Sequence, residues 1–199
     1  MKNNKRGFNR DIKKFWNFLW NDNSLLSWFL FLIIIFVFIK FIFFPTISLI
    51  FGTSLPIVIV ESCSMHHGQE FESWWNENGN LYKEFDIEKN NFENFPLKNG
   101  FTKGDIFFVR GVDKEDVKIG DVIIFIDSQY NNPIIHRVVD LSPLQTKGDN
   151  NQGQIPFEKN IDGDRIIGKA TQVKIPYIGW LKLIFFEPLR PESERGICH

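Results

Sequence analysis

The chain has 199 residues, a formal net charge of -1 and 22 phenylalanines. That length holds one modest domain beside a membrane segment, and the near-zero charge gives no electrostatic footprint for nucleic acid. Only two cysteines occur, Cys63 and Cys198. They exclude a disulfide-stapled scaffold and leave both a single bridge and the redox compartment undetermined.

Residues 1–23 carry Lys2, Lys5, Arg6, Arg10, Lys13 and Lys14 against Asp11 and Asp22. Residues 24–44 then read SLLSWFLFLIIIFVFIKFIFF, interrupted only by Lys40. About 20 apolar residues rising ~1.5 Å each span a bilayer core of ~30 Å. Near the end of the run, Lys40 can snorkel to the interface. The run is too long for a cleaved signal peptide and lacks a small-residue cleavage site after it. The excess of Lys and Arg ahead of it places residues 1–23 in the cytoplasm and the remainder outside or in a lumen. Pro45, Gly52 and Pro56 argue against a second span, so residues 45–67 are expected to leave the membrane, form a strand at Ile57–Val60 and carry a Ser-rich turn.

Residues 68–100 mix acidic side chains with Phe71, Trp74, Trp75, Tyr82, Phe85, Phe92 and Phe95. Their spacing predicts two or three short helices inserted between strands, packing their aromatics on the domain or touching substrate or the interface. From 101 to 186 the pattern turns to short β-branched and aromatic runs bounded by Gly-Asp turns. Strands are expected at Ile106–Arg110, Asp121–Ile126, Ile134–Leu141 and Arg165–Ile175. The phrases TKGDIFFV and KIGDVIIF echo each other as turn-then-strand units of a meander or barrel. The apolar stretch Ile175–Phe186 is too short to span a bilayer and is expected to pack on the domain or rest at the membrane surface. Residues 187–199 form a tail.

The chemistry sits in three phrases. Val58–Met65 is a strand running into Glu-Ser-Cys-Ser-Met, and a serine in such a turn is ordinarily a turn residue. Downstream, His136 stands inside the apolar strand Ile134–Val139, where it is either a satisfied core histidine or a proton shuttle. Thr146-Lys147-Gly148-Asp149-Asn150-Asn151 then supplies a carboxylate at a glycine turn. A serine nucleophile needs a base, and the base needs an acceptor that fixes its tautomer; Ser64, His136 and Asp149 can fill those roles. His66 and His67 lack acidic or Cys partners at zinc-like spacing. Cys63 offers a thiol beside Ser64.

Taken together, Ser-Cys-Ser-Met after a membrane segment, two Gly-Asp turns, Ile-His-Arg, Lys-Gly-Asp-Asn-Asn, Ile167-Gly168-Lys169-Ala170 and Pro176-Tyr177-Ile178-Gly179-Trp180 resemble the archaeal and endoplasmic-reticulum branch of type I signal peptidases. The resemblance covers residues 25–185 apart from the 68–100 insertion. It implies a mainly β, LexA-like peptidase fold with one N-terminal transmembrane helix and a small helical insertion. It also implies that Ser64 is the nucleophile, His136 the general base in place of the lysine of the bacterial branch, and Cys63 a packed neighbour. Relatives often carry the triad acid six residues beyond the Lys-Gly-Asp aspartate, and here that position is Ile155. Asp149 is therefore the expected partner of His136, with Glu158, Asp162 and Asp164 as rivals.

The implied activity is removal of signal peptides from exported pre-proteins at the outer face of the cell or endoplasmic-reticulum membrane, with no metal or organic cofactor. The implied partners are such pre-proteins and the bilayer. Two alternatives stay open: an inactive membrane-anchored module of the same fold, and a LexA-like protease that cleaves itself.

Overall fold

The structure, a computed structural model, describes residues 3–127 and 132–198. Lys2 of the basic flank, residues 128–131 of the expected catalytic domain and the last residue of the tail lie outside the described residues. The chain divides into two compact units, Met1–Ile50 and Phe51–His199.

In the first unit, the basic flank forms a helix, α1 (Asn3–Asn21). Over its second half Arg10, Lys13 and Lys14 are exposed, as are Ile12, Phe15, Trp16 and Trp20, while Leu19 is buried. A buried Ser27 fixes the turn that follows, its hydroxyl donating to Phe18 O at 2.8 Å. Ser24 caps α2 (Leu25–Phe38) by accepting from Ser27 N–H.

The apolar helix was expected to stop at residue 44. Instead it continues through Ile39–Phe43 in the wider π register and on into α3 (Phe44–Phe51). The cause is local. Pro45 has no N–H and its ring crowds the preceding turn, and widening that turn, with Phe44 N–H on Ile39 O, relieves both. Leu25–Phe51 is thus one helix, long and apolar enough by length and composition to cross a bilayer. It ends at Gly52, whose φ of +64° suits glycine in a left-handed helix terminus.

The second unit is built on an antiparallel sheet of β1 (Ile57–Ile59), β2 (Ile106–Arg110), β3 (Val122–Phe125), β4 (Ile134–Leu141), β5 (Leu144–Lys147) and β6 (Ile166–Ile175). Among the described residues these six strands run in the order β1-β2-β6-β3-β4-β5. The mainly β fold read from the sequence is therefore present, with strand limits close to those expected. The exception is β5, hidden because Leu144–Lys147 is short and leads straight into the Lys-Gly-Asp turn.

Strand alternation sorts the core. Val122 and Ile124 join Val60, Met65, Phe101, Phe107, Val109 and Ala170 in one cluster. From the other face of β3, Ile123 and Phe125 join Val117, Val138, Leu144 and Ile161. The 68–100 segment folds as expected into short helices, α4 (Phe71–Asn78), a 3-10 turn at Gly79–Phe85 and α5 (Lys89–Phe92). Phe71, Trp74, Tyr82, Ile87 and Phe92 close around Val139 of β4 as a third cluster. Of the two readings of this insertion, packing on the domain describes these aromatics.

The C-terminal stretch makes α6 (Trp180–Phe186). Leu183 is buried and the Trp180 indole donates to Lys103 O at 3.1 Å, whereas Leu181, Ile184 and Phe185 are exposed. This element packs on the domain along one side only.

Candidate active site

The Ser64 loop leaves β1 through Val60, which is pinned by Val60 N–H on Asp105 O and Gly104 N–H on Val60 O, both at 2.9 Å. It re-enters the core at Met65, whose carbonyl accepts from Phe101 N–H at 2.9 Å. Between these anchors Glu61, Ser62, Cys63 and Ser64 are exposed or half-buried. The turn 148–151 holds the loop from one side. Asn150 N–H donates to Ser64 O at 2.7 Å, and the Asn150 side-chain amide donates to Cys63 O at 3.1 Å.

This geometry puts Ser64 Oγ 2.8 Å from His136 Nε2 and 3.1 Å from Ser62 Oγ. On the far side of the ring, His136 Nδ1 lies 2.5 Å from Glu158 Oε1, with both side chains almost wholly buried. The carboxylate is itself oriented, Oε2 accepting Ile155 N–H at 2.8 Å and Oε1 facing Thr146 Oγ1 at 3.3 Å. A neutral imidazole carrying its proton on Nδ1 donates to Glu158. Its Nε2 lone pair is then free to accept from the Ser64 hydroxyl, as a general base requires.

The structure therefore brings Ser64 and His136 together and sets Glu158, one of the rivals, against the ring. Asp149, the expected acid, is elsewhere. Along β4 successive side chains point to opposite faces, so His136 and Arg137 look away from each other. Asp149 goes with Arg137: it accepts from Arg137 Nη2 at 2.7 Å and Nε at 3.0 Å, from Tyr82 Oη–H at 2.7 Å, and meets His67 Nε2 at 3.0 Å. Burial alone would raise its pKa, but the Arg137 guanidinium and the His67 contact hold the carboxyl well below the usual range. The same burial, reinforced by the Asp149 charge, pushes the Tyr82 phenol well up.

Asp162 and Asp164 are exposed around the turn Gly163–Arg165. Lys147, of the Lys-Gly-Asp phrase, spends its buried ammonium on Gly148 O and Asn151 O at 3.0 and 2.7 Å. Burial lowers its pKa, against the pull of Asp149 and Glu158.

Some participants went unrecognised. Arg137 is half of the Ile-His-Arg phrase, and strand alternation could have assigned it to the opposite face from His136. His67 stacks on Trp74 with ring centroids 3.7 Å apart, which ties the Ser64 loop to the insertion. Cys63 is a correction: its sulfur is bonded to Cys198, so it is neither a free thiol nor merely a packed neighbour. The spacing of two cysteines 135 residues apart carries no pairing signal. Gly148 is needed as glycine, because a Cβ there would stand 2.9 Å from His136 Nε2 and 2.6 Å from the Asn151 amide.

No family model matches the chain. It is 29% identical over 103 residues to the signal peptidase complex catalytic subunit SEC11 of Colletotrichum graminicola, a match covering 46% of this chain and 59% of that protein. Against the SEC11 of Scheffersomyces stipitis it is 39% identical over 61 residues, 28% of this chain and 36% of that protein. The chain thus spans between about a third and three fifths of the curated relatives it matches. It is a sequence relative of the endoplasmic-reticulum type of type I signal peptidase catalytic subunits, the branch to which the Ile-His-Arg and Lys-Gly-Asp phrases pointed.

Proposed function

We propose that the chain is a membrane-anchored serine endopeptidase that removes signal peptides from pre-proteins. The carrying observation is the relay Ser64 Oγ, His136 Nε2, His136 Nδ1, Glu158 Oε1, with spacings of 2.8 Å and 2.5 Å at its two links. In this reading Ser64 Oγ attacks the scissile carbonyl carbon as its proton passes to Nε2. The imidazolium, held by Glu158, returns that proton to the leaving amine, and water then hydrolyses the acyl-enzyme by the same route. The Ser64 backbone N–H and the Ser62 hydroxyl are the proposed oxyanion donors, each worth about 3 kcal/mol in such sites.

The helix Leu25–Phe51 serves as the anchor, with the basic residues before it in the cytoplasm and the peptidase unit outside. A substrate whose own apolar segment lies in that bilayer is concentrated near the site. An inactive module of the same fold drew its support from the remodelled acid loop, and that loop nevertheless delivers a carboxylate to His136.

The test is cleavage of a signal-bearing pre-protein by the full chain in detergent or liposomes. Wild type should release the mature protein with a new N-terminus at the signal junction, and Ser64→Ala should not. Equal cleavage by Ser64→Ala, or none by wild type, sinks the reading. Cleavage only within the chain itself favours the LexA-like alternative.

A further inference from the structure

Glu61–Ser64 has no buried apolar side chain between Val60 and Met65, so the position of Ser64 rests on what grips the loop from outside. One grip is the Asn150 pair of hydrogen bonds. The other is the C-terminal segment Glu187–Cys198. Cys198 is bonded to Cys63, the residue before the nucleophile, with Cα atoms 5.5 Å apart. Arg190 donates through Nη1 to Glu61 O at 3.0 Å and pairs through Nη2 with the Glu61 carboxylate, whose other oxygen meets Lys182 Nζ at 2.9 Å.

The segment is in turn fixed to the domain by a buried lysine. Lys103 Nζ donates to Glu194 O at 2.6 Å and pairs with Glu187 at 2.8 Å, and Glu187 accepts Gly196 N–H at 2.8 Å. Hydrophobic burial does little here, since Leu189 and Ile197 are 81% and 64% exposed. Polar contacts and one covalent bond hold this strap against the loop.

We propose that this strap is a positioning element of the active site, and that full activity requires the Cys63–Cys198 bond. The inference rests on the peptidase reading above. A displacement of about 1 Å between reacting groups can cost about a hundredfold in rate, and among the described residues the strap grips the Ser64 loop through Cys63 and Glu61. Forming the bond removes two electrons and two protons from the two thiols. A small-molecule disulfide of the glutathione type accepts them and leaves as two thiols. The enzyme is therefore complete only where such an oxidant prevails.

The experiment uses the full chain in detergent with a signal-bearing pre-protein, measuring kcat and KM alongside hydrogen exchange of the loop amides. Reduction with a dithiol, or Cys198→Ser, should lower kcat at least about tenfold with KM within about twofold, and speed exchange at Ser64–His66 while β3 and β4 amides stay protected. Oxidised glutathione should restore the reduced wild type and leave Cys198→Ser unchanged. Arg190→Gln should give a partial loss that Arg190→Lys recovers in part.

Unchanged kcat and loop exchange after reduction overturn the inference. So does a loss that merely follows global unfolding, seen as loss of β3 and β4 protection. If the oxidised wild type does not cleave at all, the peptidase reading fails. The loop exchange still reports whether the strap restrains Ser64.

Discussion

Replacing Glu158 by Gln is the most direct test of how the site works. The carboxylate oxygen lies 2.5 Å from His136 Nδ1 in a pocket closed to solvent, so Gln keeps the shape and removes the charge. In the proposed mechanism the ring becomes an imidazolium during attack, and its positive charge is centred about 4 Å from the carboxylate charge. At an effective dielectric constant of about 20 that pair is worth about 4 kcal/mol. Gln also offers an N–H toward Nδ1, which favours the tautomer with the proton on Nε2, where it cannot serve as a base. Even the electrostatic part alone predicts a fall in kcat of about a thousandfold, with substrate affinity little changed. The assay is initial-rate cleavage of a pre-protein at several substrate concentrations, with the melting temperature recorded in parallel. A loss smaller than about tenfold in a folded Glu158→Gln protein would refute the assignment. A larger loss for Asp149→Asn at matched stability would return the role to Asp149.

The other expectations concern what surrounds the relay. Asp149→Asn leaves Arg137 buried without its counter-charge and should cost about 3–5 kcal/mol, read as a lower denaturation midpoint. Since the folded Asp149 pKa is depressed, its stabilisation is complete above the unfolded carboxylate value of about 3.9 and is lost as pH falls below it. Acid titration of wild type should show that loss, and the Asn variant should show a flatter profile. Gly148→Ala forces a methyl into the space beside His136 Nε2 and the Asn151 amide, and is expected to lower kcat by more than about tenfold while the melting temperature moves by only a few degrees.

The sheet was readable because short β-branched and aromatic runs mark β2, β3, β4 and β6, with Gly-Asp turns ahead of β2, β3 and β6. In contrast, the helix end at Phe51 was not. Pro45 is a breaker by local rules, and only the change to a π register at Ile39–Phe43 lets the helix pass it. Within the site, the loop serine and the strand histidine were legible from residue type and context, and the structure places them in contact. Asp149 was the expected acid because Ile155 occupies the position where relatives often carry it, whereas β5 leads the Gly-Asp-Asn turn into the interior, where Asp149 meets Arg137, Tyr82 and His67. The strap was invisible for a simpler reason: its contacts to the rest of the domain join residues far apart in sequence, 91 positions for Lys103 and Glu194 and 135 for the two cysteines, and carry no local pattern.

The position of Glu158 follows from a turn that the sequence spacing alone does not describe. An aspartate six residues after Asp149 would stand where Ile155 is, and the glutamate that meets His136 comes three residues later. Residues 156–158 form a 3-10 turn, whose three-residue repeat brings Glu158 back over Ile155, so that the Ile155 N–H reaches its carboxylate. The longer glutamate side chain covers the remaining distance to the ring. The Ile155 side chain is itself 37% exposed, so a carboxylate placed there would begin at the edge of the pocket. Adding Ile155→Asp to Glu158→Gln should therefore leave kcat within about threefold of the single variant. A recovery of a hundredfold or more would show that the loop can present its acid from either position. The restraint supplied by the 156–158 turn would then be weaker than its hydrogen bonds imply.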